Sequence, residues 1–124
     1  MPRELTDQNV QGKEIDGFIT IQVTDEPGQG GACHIYDVFG NSGAQGWTQR
    51  IFFQNGPIKE FGGNGLTQEC LLAIVLDRLR GFQSGKFACR ENAIAITEIE
   101  TALMFLQKRT RDRLARGVEG TNVK

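Results

Sequence analysis

The chain has 124 residues, 39% of them hydrophobic and 23% charged, enough for a core that needs no disulfide or metal staples. Its net charge of −1 argues against a general nucleic-acid binder, which usually carries a strong basic excess, and its three scattered cysteines, without a CxxC pair, argue against a zinc site and for reduced thiols. The balance hides an asymmetry. Residues 1–66 carry four basic against eight acidic side chains, and residues 77–116 carry nine against five, so an anionic partner is expected at the C-terminal half. The N-terminus carries Arg3, Glu4 and Asp7 with no apolar stretch, which speaks against a signal peptide, and the longest apolar run, 70–76, is too short to span a bilayer.

In chain order, residues 1–16 are polar without a clear period and read as an irregular lead-in. Over residues 17–25, Phe18, Ile19, Ile21 and Val23 are interleaved with Thr20, Gln22 and Thr24, the pattern of a half-buried strand. A turn at 26–31 leads to a second expected strand at 33–39, rich in β-branched and aromatic residues. A glycine-rich loop at 40–46 separates it from a third at 47–54. Asn55-Gly56 is the strongest hairpin signal in the chain, so a short fourth strand is expected at 57–61, with Pro57 suiting its start or an edge.

Past the glycines at 62–65 the period changes. Thr67 is the expected N-cap of a helix over 68–80 that is apolar nearly all round and therefore needs cover on two sides. Gly81 to Gly85 breaks it. The stretch from Ala88 to Arg116 then reads mostly as one long helix, with Ala95, Ile96, Ile99, Ala102, Leu103 and Leu106 as its apolar seam. Residues 117–124 read as a frayed polar tail. The expected fold is α+β in a single domain over 1–124: a small antiparallel β-meander within 17–61, then a helical hairpin with one long helix within 67–116.

No HExxH, GxSxG or paired-carboxylate arrangement appears, so no active site is expected. The glycines at 62–65 lead into a helix and could cradle a phosphate, but the lysine and Ser/Thr of a P-loop are missing. The better candidate is the basic end of the long helix. Arg109, Arg113 and Arg116 share a face at i, i+4 and i+7, a clustering with a small repulsive cost that a bound anion would offset; the alternative is a solvated helix end whose cations complement the dipole. Phe82, in the interhelical connection, either plugs the hairpin or lies open to stack on a base. Asn92 lies near the other end of the seam. Asn92 and Arg109 are separated by 17 positions, roughly 25 Å along a helix, so no mononucleotide-sized ligand reaches both in one chain. A ligand touching both needs two subunits.

At these residues the sequence becomes familiar. The run LLAIVLDRLRGFQSGKFACRENAIAITEIETALMFLQKRTRDRLARGVEGT resembles the helical hairpin of the Thoeris anti-defence phage proteins, a hairpin shared with the phage sponge that counters CBASS defence. CHIYDVFG and WTQRIFFQNGPIKEFG resemble the sheet part of the same family. The resemblance implies a non-enzymatic sponge, without cofactor, in the cytoplasm of an infected bacterial host. Such proteins sequester glycocyclic ADP-ribose made by TIR-domain immune enzymes, and the wider group also takes cyclic di- and trinucleotides. They are homo-oligomers, dimers or hexamers, with the ligand at a subunit interface. By the same resemblance Phe82 would stack on adenine, Asn92 would read the adenine edge, and Arg109 and Arg113 would hold the pyrophosphate; Phe87, Arg90 and Arg116 are additional candidates. An enzyme that cleaves a cyclic nucleotide and a phage nucleic-acid-binding or structural protein are the alternatives.

Overall fold

A computed structural model describes residues 2–12, 15–40 and 46–123. The chain divides into two compact units. One runs through Gly56 and includes Phe61–Gly65; the other holds Pro57–Glu60 and everything from Leu66 onward.

The first unit is an antiparallel meander of β1 (Arg3–Leu5), β2 (Ile19–Val23), β3 (Ile35–Gly40) and β4 (Trp47–Phe52), hydrogen-bonded in chain order. The alternation in β2 puts Ile21 and Val23 on one face, opposite Val38 and Tyr36 of β3, and Val23 is the most deeply buried side chain of the sheet. The opposite face mixes Thr20, Gln22 and Thr48 with Ile35, Phe39 and Phe52. There Asp37 of β3 stands across from Arg50 of β4, and the pair is bidentate at 2.6 and 2.8 Å. The β2–β3 connection is closed by Asp25, whose carboxylate accepts the backbone N–H groups of His34 at 2.8 Å and Ile35 at 3.1 Å.

Two expectations for this part fail. The lead-in is not irregular throughout, because Arg3–Leu5 pairs with Ile21–Val23 as an edge strand too short and polar to show a period. Nor is 57–61 a strand: Ile58–Phe61 is a single helical turn, α1. Gly56, at φ 87°, bends the chain, and Pro57 then starts a helix because its fixed φ suits that position and it has no N–H to satisfy. The segment at 62–65 is tied to the strand end before it rather than standing open. The Asn64 N–H is given to Gln54 Oε1 at 2.9 Å, and its carboxamide bonds the Asn55 backbone twice, at 2.8 Å each. The loop expected at 40–46 lies mainly outside the described residues.

The second unit is a helical hairpin of α2 (Gln68–Gln83) and α3 (Arg90–Ala115). Thr67 caps α2 as expected, accepting the Cys70 N–H at 3.1 Å. The helix continues through Gly81 to Gln83, whose Oε1 then accepts the Cys89 N–H at 2.8 Å, closing the connection. Cys89 is itself the N-cap of α3, its Sγ accepting the Asn92 N–H at 3.4 Å. Ile96, Ile99, Leu103 and Leu106 are half-buried at three- and four-residue spacing, whereas Ala102 is exposed. An Arg80–Glu100 ion pair of 2.9 Å links the helices. Of the apolar residues of α2 only Leu76 is buried, and Ile74, Val75, Ile94, Met104 and Phe105 remain exposed in the single chain.

The described part of the tail, residues 117–123, is not frayed. Gly117, at φ 74°, follows the C-cap Arg116, and the Gly117 and Val118 N–H groups return to the carbonyls of Leu114 and Arg113 at 3.0 Å each. This is a Schellman turn, which needs the left-handed conformation glycine adopts freely. It folds the tail back, and the Gly120 carbonyl accepts the Lys59 N–H of α1 at 3.2 Å.

Candidate functional site

Both candidate clusters lie in the hairpin unit. At the connection, Phe82 is half-buried. Its ring meets Phe87 edge-on at 6.3 Å between centroids, and the Arg78 guanidinium lies over it, 4.8 Å from the centroid. Phe87 is exposed, with Lys86 Nζ 5.7 Å from its ring centre. Phe82 is thus neither a sealed plug nor a bare platform, but an aromatic surface edged by cations. Such a surface suits a base with a phosphate attached. Asn92 sits in the first turn of α3, half-buried, with Arg90 exposed at the helix start.

At the far end of α3, Phe105, Lys108, Arg109, Asp112, Arg113 and Arg116 line an open hollow of about 520 Å³. Asp112 is paired with Lys108 at 2.7 Å, so the hollow keeps a positive excess carried by arginines. Arg109 and Arg116 are exposed there, as an anion site requires. Arg113 is different. It is buried to 7% exposure, and its guanidinium holds the tail: Nε donates to Glu119 at 3.1 Å, one Nη to the Val123 carbonyl, and the other to the Val118 and Thr121 carbonyls at 3.0 Å each. Burial alone would raise the Glu119 carboxyl. The bond from Arg113, the Gly120 N–H and the charges of Arg113 and Arg109 outweigh it and hold the carboxyl below its ordinary range.

The structure therefore brings Arg109, Arg113 and Arg116 together at one end of α3, and Phe82, Phe87, Arg90 and Asn92 at the other. It does not bring the two groups together within one chain, since 17 residues of helix span roughly 25 Å. Arg78, Phe105, Lys108 and Glu119 are absent from the sequence-derived candidates. Arg78 stands at i, i+4 from Phe82 and Phe105 at i, i+4 from Arg109, so helical spacing is the signal that points to both. Nothing in the spacing announces Glu119. Among the described residues, no three His, Cys, Asp or Glu side chains are grouped so as to hold a metal ion.

A family model described as the Acb2/Tad1 hairpin domain matches residues 48–111, just over half of the chain. The chain belongs to the Acb2/Tad1 hairpin-domain family. The matched segment contains α2 and most of α3, with Phe82, Asn92 and Arg109 inside it and Arg113 and Arg116 beyond its end. The chain is also 57% identical over 74 residues to the protein named Thoeris anti-defense 1 from Bacillus phage SBSphiJ7, a match covering 60% of this chain and 52% of that protein. It thus spans about half the length of the curated relative it matches.

Proposed function

We propose that this chain is a phage anti-defence sponge that binds glycocyclic ADP-ribose, and releases it chemically unchanged, so that a TIR-derived immune signal is removed by sequestration. The observation that carries the reading is the separation of two complementary half-sites at opposite ends of the helical hairpin. The Phe82, Phe87 and Asn92 end offers a stacking ring and a carboxamide for adenine. The Arg109 and Arg116 hollow offers guanidiniums for a pyrophosphate. In a homo-oligomer with antiparallel α3 helices, the aromatic end of one protomer completes the arginine end of its mate, giving two sites per twofold pair. The exposed Ile74, Val75, Ile94 and Met104 supply apolar surface that such an assembly would cover. Family membership and the name of the phage relative support the same reading. Cyclic di- and trinucleotides, which share base and phosphate groups, are the second ligand class to assay. The assembly is a dimer or a hexamer built from dimers, acting in the cytoplasm of the infected host.

The test is a binding and release experiment. The protein is saturated with glycocyclic ADP-ribose, freed of excess ligand, and heated to denature it. Recovery of intact ligand at one equivalent or less per chain is expected. Degraded ligand, or catalytic disappearance of ligand at substoichiometric protein, would make the chain an enzyme instead.

A further inference from the structure

One wall residue of the arginine hollow, Arg113, is already bound to an anion that does not line the hollow itself. Glu119 reaches back through the Schellman turn at Gly117 to place its carboxylate on Arg113 Nε at 3.1 Å, while the same oxygen accepts the Gly120 N–H at 3.1 Å. Three tail carbonyls, those of Val118, Thr121 and Val123, take most of the other Arg113 donors. A phosphate entering beside Arg109 therefore meets an Arg113 whose charge is already matched. Arg113 stays at the wall of the hollow, so the pairing with Glu119 is a contest rather than a barrier.

We infer that Glu119 is the internal counter-ion of the hollow and sets its charge selectivity, holding Arg113 against weak anions and yielding it to a ligand that brings more than one negative charge. The inference rests on the reading of the hollow as the phosphate end of the site. A monoanion gains too little by replacing one carboxylate with another. A pyrophosphate engages Arg109, Arg116 and Arg113 together, and displaces Glu119 into solvent. The tail carbonyls keep hold of Arg113 when the carboxylate leaves, so the change is confined to residues 118–123.

Glu119→Gln keeps the shape and loses the charge. Wild type and variant are titrated at about pH 5.5, where inorganic phosphate is close to a monoanion, with inorganic pyrophosphate, inorganic phosphate and glycocyclic ADP-ribose, and hydrogen exchange of residues 118–123 is followed in each. The variant is expected to bind pyrophosphate roughly tenfold more tightly, and to gain more for phosphate, so that the pyrophosphate-to-phosphate preference narrows. Pyrophosphate should speed exchange of the tail in wild type and change it little in the variant. Equal affinity of the two proteins for pyrophosphate, an unchanged preference, or no pyrophosphate binding by either protein would overturn the inference. If wild type takes glycocyclic ADP-ribose while Glu119→Gln behaves identically, the sponge reading stands and the counter-ion falls. If the variant gains pyrophosphate affinity while neither protein takes the cyclic nucleotide, the counter-ion stands and the sponge reading falls.

Discussion

The Arg78 guanidinium lies 4.8 Å from the centre of the Phe82 ring, one helical turn away on α2, so one face of the aromatic ring is already held by a cation. An adenine stacking on Phe82 then uses the ring's remaining surface beside Phe87, with Arg78 as a backing. Phe82→Ala should weaken glycocyclic ADP-ribose by about 1–3 kcal/mol, the worth of one base stack. Arg78→Ala should cost less, roughly 0.5–1 kcal/mol. Calorimetric titration measures both, and a larger loss in the Arg78 variant would mean that the cation, not the ring, makes the contact.

Arg109 and Arg113 stand one turn apart on α3 but answer differently to truncation. Arg109 is exposed, so Arg109→Ala should leave melting temperature and oligomer size unchanged while removing charge-assisted bonds worth about 1.5–3 kcal/mol to the ligand. Arg113→Ala should melt earlier, because Glu119 and three carbonyls lose their donor together. Calorimetric melts paired with ligand titrations separate the two effects. An Arg109 variant that binds as tightly as wild type removes the phosphate role from the hollow.

Residue type and period make much of this legible. The alternating Ile21 and Val23 mark β2, and the 3–4 spacing of Ile96, Ile99, Leu103 and Leu106 marks α3, because each element buries one face. Thr67 announces its cap by its hydroxyl. Cys89 does not, because a thiol is a rare cap and a weak acceptor. The single turn α1 stays hidden because Asn55-Gly56 signals a reversal but leaves the next element open to strand or helix. The helical wheel groups Arg113 with Arg109 and Arg116, correctly as to face. What spacing cannot show is that the tail returns to claim Arg113, a long-range event decided by Gly117 and Glu119.

Gly65 and Gly40 are both crowded, against different neighbours. A Cβ at Gly65 would stand 2.5–2.6 Å from the backbone of Phe52 and Phe53, which cannot step aside. A Cβ at Gly40 would stand 2.3 Å from the Trp47 indole, but that side chain is 43% exposed and free to swing outward. Gly65→Ala should therefore destabilise the protein by about 1–3 kcal/mol, and Gly40→Ala by less. Urea midpoints at constant slope would show the order, and the reverse order would mean that Trp47 is held in place.

Asp37 is kept below the ordinary carboxylate range first by its hydrogen bonds from Arg50; burial opposes them, and the Arg50 charge adds to them. A carboxyl with a lowered native pKa releases its proton more readily folded than unfolded. The stabilisation it gives is complete above the unfolded value of 3.8 and fades as pH falls through the lower native one. Asp25 and Glu119 shift in the same direction and act in the same acid range. Asp37→Asn should flatten part of the acid limb of the melting curve below about pH 4 and leave ligand binding at neutral pH unchanged. An acid limb identical to wild type would show that the pair gives no net stability, as many solvent-screened pairs do.

The proposed composite site makes a prediction that no single-chain site shares. If every site needs one residue from each end of the hairpin, Phe82→Ala and Arg109→Ala should each break every site of a homodimer. In a mixed dimer, the Arg109→Ala chain still supplies Phe82 and the Phe82→Ala chain still supplies Arg109. One site is then intact and the other doubly broken. Co-expressing the two variants with different affinity tags and purifying the mixed dimer should restore wild-type affinity at half the wild-type stoichiometry. If both residues instead served one site within a chain, mixing would restore nothing, and the roughly 25 Å between Asn92 and Arg109 along α3 would need another explanation. Native mass spectrometry of the mixed species with glycocyclic ADP-ribose reads the stoichiometry directly.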